Sequence, residues 1–437
     1  MEKIKKQKKV LSVCLASVLS FSLTACSSAT STTSTSSDKT FDFVKVTDYL
    51  FEATYQDYED GFEIAKEYCD KYRPELGGCS SVQNGVIRGR NYDWTYDEEP
   101  EFVIHVPAAE GRHASVGVVA TTAISSLDVE GTEFQNEINE FLEYFEEGEK
   151  ISIDTEKTKE VYQMLPYVTL DGVNDAGLTV NINVVNYGEK GQFEMKTETT
   201  EDDLCPLMIP RLLLDNAGSI DECIEIIEQY DVYSMGTAEE AHFMISGPQS
   251  ADDDTFNTVV IEFIPDENNH YQLSVLDYNK GDFVDNKAVM TNFHLTGYDG
   301  TEASLTDHPM GYERYQILME DYDQGSTEMG MENLMKKVYY TRNYDLYKDN
   351  FWYSEYTSGD LTIADAQGLA SNLMGDTSKA GPFKDAIDNA TNIYNEGNRD
   401  AKRWHTVHCS IYNSEEKKLW VLPQEAGFSY EFELEQK

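Results

Sequence analysis

The chain has 437 residues, and 80 Asp and Glu against 34 Lys and Arg give a formal net charge of -46. So acidic a body repels polyanions and anionic lipid, which excludes a general nucleic-acid binder and a basic membrane patch. Hydrophobic residues at 40% and aromatics at 12% suffice for a real core, and seven cysteines are too sparse for a disulfide scaffold.

The first segment reads as an address. Lys3, Lys5, Lys6, Lys8 and Lys9 precede an apolar stretch over 10–25. That stretch is short for a transmembrane helix and has the pattern of a secretory signal. It ends Leu23-Thr24-Ala25-Cys26, which resembles the lipobox of bacterial lipoproteins. In that class the Cys26 thiol is lipidated and becomes the new N-terminus. Residues 27–40 are rich in Ser and Thr, a flexible tether. The expectation is an extracytoplasmic lipoprotein held on the cell membrane, with no second apolar stretch long enough to span.

Residues 41–76 read as a helical segment, from the spacing of Phe62, Ala65, Tyr68 and Cys69, closed by Pro74 and Gly77-Gly78. From Cys79 the pattern turns to strands. Segments 80–83 and 86–88 flank Asn84-Gly85, a hairpin signal. Strands follow at 102–106 and 115–121. Residues 128–160 predict an acidic amphipathic helix around Phe134, Ile138, Phe141, Leu142 and Phe145. Residues 178–185 alternate as a strand with Asn181 and Asn183 on one face. Helices are expected at 206–214 and 220–230, the second opened by a capping box from Ser219 to Glu222. Strands resume at 242–246, 258–263, 271–276 and 288–291. Helices return at 311–320, 329–341, 363–373 and 383–394, and strands at 404–412, 418–422 and 429–432 close the chain. This order lacks βαβ alternation, so it favours α+β: helices grouped on mostly antiparallel sheets. No linker follows residue 40, so one domain is expected.

The chemistry centres on Cys79. It follows two glycines and opens a strand. Across the hairpin, Gly89-Arg90-Asn91-Tyr92-Asp93-Trp94 returns to its level. An Arg and an Asp beside a thiol can depress its pKa and orient a proton carrier. The nearby sequence offers no His as base. A free α-amino group, with a reference pKa of about 7.7–8.0, would serve if the chain were cut before Cys79.

The segment Gly78-Cys79-Ser80-Ser81-Val82 with Gly89-Arg90-Asn91-Tyr92-Asp93-Trp94 resembles the N-terminal-nucleophile (Ntn) cysteine hydrolases of the choloylglycine hydrolase/penicillin V acylase family. The likeness continues in Asp171-Gly172-Val173-Asn174-Asp175-Ala176-Gly177-Leu178, in the helix pair from Leu212 to Glu222, in Val289-Met290-Thr291-Asn292, in Gly311-Tyr312-Glu313-Arg314-Tyr315 and in the strand at Trp404. Any one motif is weak; together, in this order, they are specific.

The resemblance implies an αββα four-layer sandwich and a linear amide C–N hydrolase. The substrate would be a small N-acyl compound, such as a conjugated bile salt, penicillin V or a related amide. It implies that Cys79 is the thiol nucleophile with its own α-amine as base. Asp93 would hold the amine, Arg90 would sit beside the thiolate, Asn292 would donate to the oxyanion and Arg314 would complete the polar network. The second oxyanion donor is expected after Gly177-Leu178. There the spacing departs from the family by a residue, so Asn183 is favoured and Asn181 stays open. Trp94 is expected to wall the substrate pocket. No metal or cofactor is required.

The precursor differs from compact family members in carrying 78 residues before Cys79. The resemblance therefore implies autoprocessing between Gly78 and Cys79, through an N→S acyl shift. The expected organisation is a signal segment at 1–26, a tether at 27–40, a propeptide at 41–78 and a catalytic domain at 79–437. Residues 134–160 look inserted, as a lid or rim. His405 and His408, three apart on a strand, point to opposite faces and argue against a metal site. An acyltransferase of the same superfamily and a catalytically inactive binding lipoprotein are the alternatives, and homo-oligomerisation is left open.

Overall fold

The computed structural model describes residues 41–434 apart from 57, 59–60, 73–77, 96–100, 121–147, 149, 154–162, 186–202, 233–239, 266–270, 306–310, 350–403 and 424–428. The expected helices at 363–373 and 383–394, and all of the 134–160 insertion but 148 and 150–153, lie outside these residues.

The described residues open with two strands where a helical segment was expected. β1 (Phe41–Lys45) and β2 (Leu50–Thr54) form a hairpin, and only then does α1 (Gly61–Tyr72) follow. β3 (Cys79–Asn84) and β4 (Ile87–Thr95) form the expected hairpin. Its register pairs Asn84 with Ile87, so the turn residues are Gly85 and Val86, with Gly85 at φ 59°. A positive φ at the first turn position suits glycine and matches the twist of the strands. Next come β5 (Glu101–Val106), β6 (Ser115–Ala120) and β7 (Lys150–Ile153), the last lying in the stretch expected to be helical.

β8 (Asp171–Asn174) and β9 (Thr179–Val185) pair through a turn with Gly177 at φ 81°. A two-residue β10 (Asp203–Leu204) leads into α2 (Ile209–Asn216) and α3 (Ile220–Ile227). The expected cap is present: Ser219 Oγ accepts from Glu222 N–H, and Glu222 Oε2 accepts from Gly218 N–H. A two-residue β11 (Asp231–Val232) pairs with β10. The hairpin strands β12 (Glu240–Ser250) and β13 (Asp253–Pro265), then β14 (Tyr271–Asp277) and β15 (Ala288–Met290), precede α4 (Tyr312–Glu320) and α5 (Glu328–Asp349). β16 (Trp404–Asn413), β17 (Lys418–Pro423) and β18 (Tyr430–Glu433) finish the described chain.

Among the described residues the larger sheet has the order β14-β13-β12-β9-β8-β6-β5-β2-β1-β7, and the smaller has β15-β3-β4-β16-β17-β18. All these pairings are antiparallel except β2 with β5. The two sheets face each other. Leu50, Val103, Val116, Val118 and Val173 of the larger sheet meet Tyr412, Leu419, Val421 and Phe432 of the smaller. The outer face of the larger sheet packs on α1, α2 and α3, through Ala65, Leu213, Leu214, Ile220 and Cys223 among others. The outer face of the smaller sheet packs on α4 and α5, through Ile317, Leu318, Met331, Leu334 and Met335. This is the αββα sandwich that the motifs implied. α5 lies so close to β4 that a Cβ at Gly89 would sit 2.6 Å from Met335 Cγ; any larger residue there would push the helix off the strand that carries Arg90.

The segment before Cys79 is thus part of the sandwich. Leu50 and Phe51 are fully buried, and each such side chain contributes roughly 1.5–3 kcal/mol through burial.

Candidate active site

β3 is an interior strand of the smaller sheet, between β15 and β4, so its first residue, Cys79, is flanked on both sides. Its side chain has no exposed surface. Four elements reach it: β4 supplies Arg90 and Asp93, the chain just past β15 supplies Asn292, the first turn of α4 supplies Arg314, and β9 presents its edge.

Arg90 Nη2 donates to Cys79 Sγ at 3.5 Å, and the same nitrogen donates to Ile182 O at 3.0 Å. Arg90 Nη1 donates to Asp171 Oδ2 at 2.5 Å. Asn292 Oδ1 accepts the backbone N–H of Cys79 at 2.9 Å and Arg314 Nη2 at 2.6 Å. Arg314 Nη1 donates to Cys79 O at 2.5 Å, to Ser80 Oγ at 2.7 Å and to Asp93 Oδ2 at 3.4 Å. Thr406 Oγ1 donates to Asp93 Oδ1 at 2.5 Å, and Asp93 N–H donates to Gly78 O at 2.8 Å. Five residues singled out in the sequence, Cys79, Arg90, Asp93, Asn292 and Arg314, therefore form one buried network. His242 steadies it from outside: one ring nitrogen meets Thr291 O at 2.8 Å, next to Asn292, and the other meets Glu262.

Asn183 does not join this network. Ser81 Oγ donates to its Oδ1 at 3.0 Å, and its Nδ2 donates to Met290 O and Thr291 O at 3.3 Å. Asn181 donates to Ser81 Oγ as well. Both asparagines brace the sheets against each other. The backbone of β9 faces the thiol instead. Ile182 N–H donates to Leu170 O, on the β8 side. Alternation along an antiparallel strand sends Val184 N–H and C=O to that same side. β8 has ended there, and the two groups are turned to the site. Val184 N–H bonds the Cys79 thiol, and Val184 O accepts Asn292 Nδ2 at 2.6 Å. A backbone donor has no residue-type signature, which is why sequence reasoning looked for an asparagine. The side chain of Trp94, and Cys26, lie outside the described residues.

The thiol is not pre-ionised. Burial pushes Cys79 up from the ordinary cysteine value; Arg90, then Arg314 and the Val184 N–H, oppose this, while Asp93 adds to it. The sequence expectation of a depressed thiol pKa is therefore reversed in the uncut chain. A neutral thiol suits a nucleophile that hands its proton to a base at the moment of attack.

Three further buried residues stand behind Arg90. Asp171 lies in a motif recognised in the sequence but given no role there. His408 and Glu101 went unnoticed as site residues. Each shares its strand with a second ionisable residue, Glu101 with His105 and His408 with His405, so no local pattern sets it apart. Among the described residues no group of three or more His, Cys, Asp or Glu could hold a metal ion, and no helix is long and apolar enough to cross a membrane.

No family model matches the chain, and no curated protein matches it in sequence. Solved structures similar to it include two variants of conjugated bile acid hydrolase from Clostridium perfringens, at 12% and 13% identity with TM-scores of 0.36 and 0.35. Each alignment covers 82% of this chain and 92% of that one. Penicillin V acylase from Agrobacterium tumefaciens is similar at 11% identity and a TM-score of 0.33, over 82% of this chain and 86% of that one.

Proposed function

We propose that this chain is the precursor of an exported, lipid-anchored Ntn cysteine hydrolase of the choloylglycine hydrolase/penicillin V acylase family, cleaving linear C–N amide bonds of small N-acyl compounds. One observation carries the reading. The buried Cys79 thiol is met by Arg90 Nη2 at 3.5 Å and by the Val184 N–H, while Asn292 holds the residue's own nitrogen at 2.9 Å.

Processing comes first. Cys79 Sγ attacks the carbonyl carbon of Gly78, whose oxygen already accepts the Asp93 N–H. The resulting thioester is hydrolysed, leaving Gly78 with a carboxylate and Cys79 with a free α-amine. That amine stays on Asn292 Oδ1, near Asp93. In turnover it takes the thiol proton as Sγ attacks the substrate carbonyl. The oxyanion forms beside the Val184 N–H and Asn292 Nδ2, whose second hydrogen is left over from its bond to Val184 O. One such donor is worth roughly 2.7–4 kcal/mol in a comparable site. The ammonium protonates the leaving amine, and water hydrolyses the thioester. The substrate class is that of conjugated bile salts, penicillin V and related N-acyl amides. The lipobox at Cys26 supports anchoring outside the membrane.

Because β1 and β2 are woven into the larger sheet, the cut-off segment is expected to co-elute with the catalytic chain on gel filtration. The functional test is a panel of N-acyl amino acids, bile-salt conjugates and penicillin V. The Cys79→Ala chain is expected to remain uncut at Gly78–Cys79, with turnover reduced at least about 10⁴-fold. Unchanged turnover in that variant sinks the assignment.

A further inference from the structure

A file of four ionisable side chains runs inward from the nucleophile, and all four are at most 1% exposed. Arg90 of β4 touches Cys79 Sγ and donates to Asp171 Oδ2 of β8. His408 of β16 has Nε2 at 3.4 Å from that same Oδ2, and its Nδ1 meets Glu101 Oε1 of β5. Each of its three steps crosses from one sheet to the other.

Each ring nitrogen of His408 therefore faces a carboxylate oxygen. A neutral imidazole carries one N–H and can serve only one of them; the imidazolium serves both. With His408 charged, the file reads plus, minus, plus, minus from Arg90 to Glu101, with no net buried charge. With His408 neutral, one negative charge is left in the core, which is costly. Glu101 has no second support, since its Oε2 lacks a hydrogen-bond partner among the described residues. Burial works against a charged His408, but Glu101 and Asp171 outweigh it and raise the ring to about 9. The other groups facing it are Arg90 Nη1 at 3.4 Å, the Tyr92 ring at 5.6 Å between centroids, and Tyr412, whose hydroxyl donates to Asp171 Oδ1.

We infer that His408, held as an imidazolium by Glu101, is a positioning residue for the reaction at Cys79: it fixes Asp171, and Asp171 fixes the Arg90 guanidinium against the thiol. This rests on Cys79 being the nucleophile. Arg90 Nε has no hydrogen-bond partner among the described residues. The aim of the guanidinium then depends on Asp171 and Ile182 O, and Asp171 is shared with His408. The file also reaches the segment before Cys79, because Glu101 N–H donates to Tyr49 O at 2.9 Å.

The test reads the thiol directly and needs no substrate. Full-length protein is alkylated with iodoacetamide across about pH 6 to 10, and modification of the Cys79 peptide is followed by mass spectrometry. In His408→Gln the midpoint is expected to rise by about one pH unit, so that alkylation below it slows about tenfold. Glu101→Gln, which keeps shape and removes only the charge, is expected to shift the midpoint in the same direction, and it decides the matter if His408→Gln fails to fold. Nitrogen-15 spectra of the wild-type histidines should show one ring, absent from His408→Gln, with both nitrogens protonated at about pH 8. A wild-type midpoint in the folded variants, or a neutral His408 ring at that pH, overturns the inference. An enzyme that cleaves no amide but shows the midpoint shift overturns the function proposed above and leaves the positioning role standing.

Discussion

Arg88 and Arg90 stand two residues apart on β4, point to the same face and are both fully buried. Their surroundings differ. Arg88 is held by neutral acceptors: Gln83 Oε1 at 2.8 Å, Asn181 Oδ1 at 3.1 Å, Met244 O at 2.8 Å and Ser246 Oγ at 2.5 Å. Burial pulls its guanidinium below the usual arginine value. Arg90 has a carboxylate at 2.5 Å, and although burial acts on it too, Asp171 and Cys79 hold it above that value. The first arginine is a strut between two sheets. The second is an aimed charge, with its partner on one side and a thiol on the other. Burial and residue type alone do not mark a catalytic arginine; the ionic partner and the nucleophile do.

Replacing each arginine separates the two roles. Arg90→Met should lower turnover of whichever N-acyl amide is a substrate by about 10²–10³-fold, the loss expected for one charged group at a developing anion. Arg88→Met should act mainly on stability. It leaves several buried acceptors unpaired, each costing about 1–3 kcal/mol, so urea midpoints should fall while kcat of the folded fraction changes much less. Equal losses of kcat in the two variants would erase the distinction.

Stability against pH sharpens it further. Burial would raise Asp171, but Arg90, with His408, brings it down to about 2. A carboxyl depressed on folding stabilises the fold above its unfolded value of about 3.9. That contribution is lost as pH falls through about 2. His408 is raised on folding to about 9. Its contribution is complete below the unfolded value of about 6.5 and is lost as pH rises through about 9. Urea unfolding across pH should therefore show an alkaline decline that His408→Gln flattens. Arg90→Met should flatten the acid decline, and Arg88→Met should leave both limbs in place.

The site was legible where its residues are close in sequence. Cys79, Arg90 and Asp93 share one hairpin, and the Asn-Gly signal located it to within a residue. Asn292 and Arg314 came from the family resemblance, with no local feature to mark them. Grouped helices and strands pointed to α+β, and the αββα layering came from the family resemblance. What escaped was non-local. β2 pairs in parallel with β5, across the β3–β4 hairpin that belongs to the other sheet. Nothing within residues 41–54 announces that pairing, and the helical spacing of α1 was read too far back. The Val184 N–H faces the thiol only because β8 stops short, which no pattern within β9 reveals. His408 was weighed as a metal ligand against His405, its neighbour in sequence, whereas its partners come from β5 and β8.

The account rests on Cys79 becoming an N-terminal residue. The most direct measurement is intact and N-terminal peptide mass spectrometry on purified protein that hydrolyses an N-acyl amide, quenched in acid during turnover. The predicted result is a catalytic chain beginning at Cys79, with the substrate acyl group on that residue as a thioester. An active protein with the Gly78–Cys79 bond intact, or with the acyl group elsewhere, would contradict it.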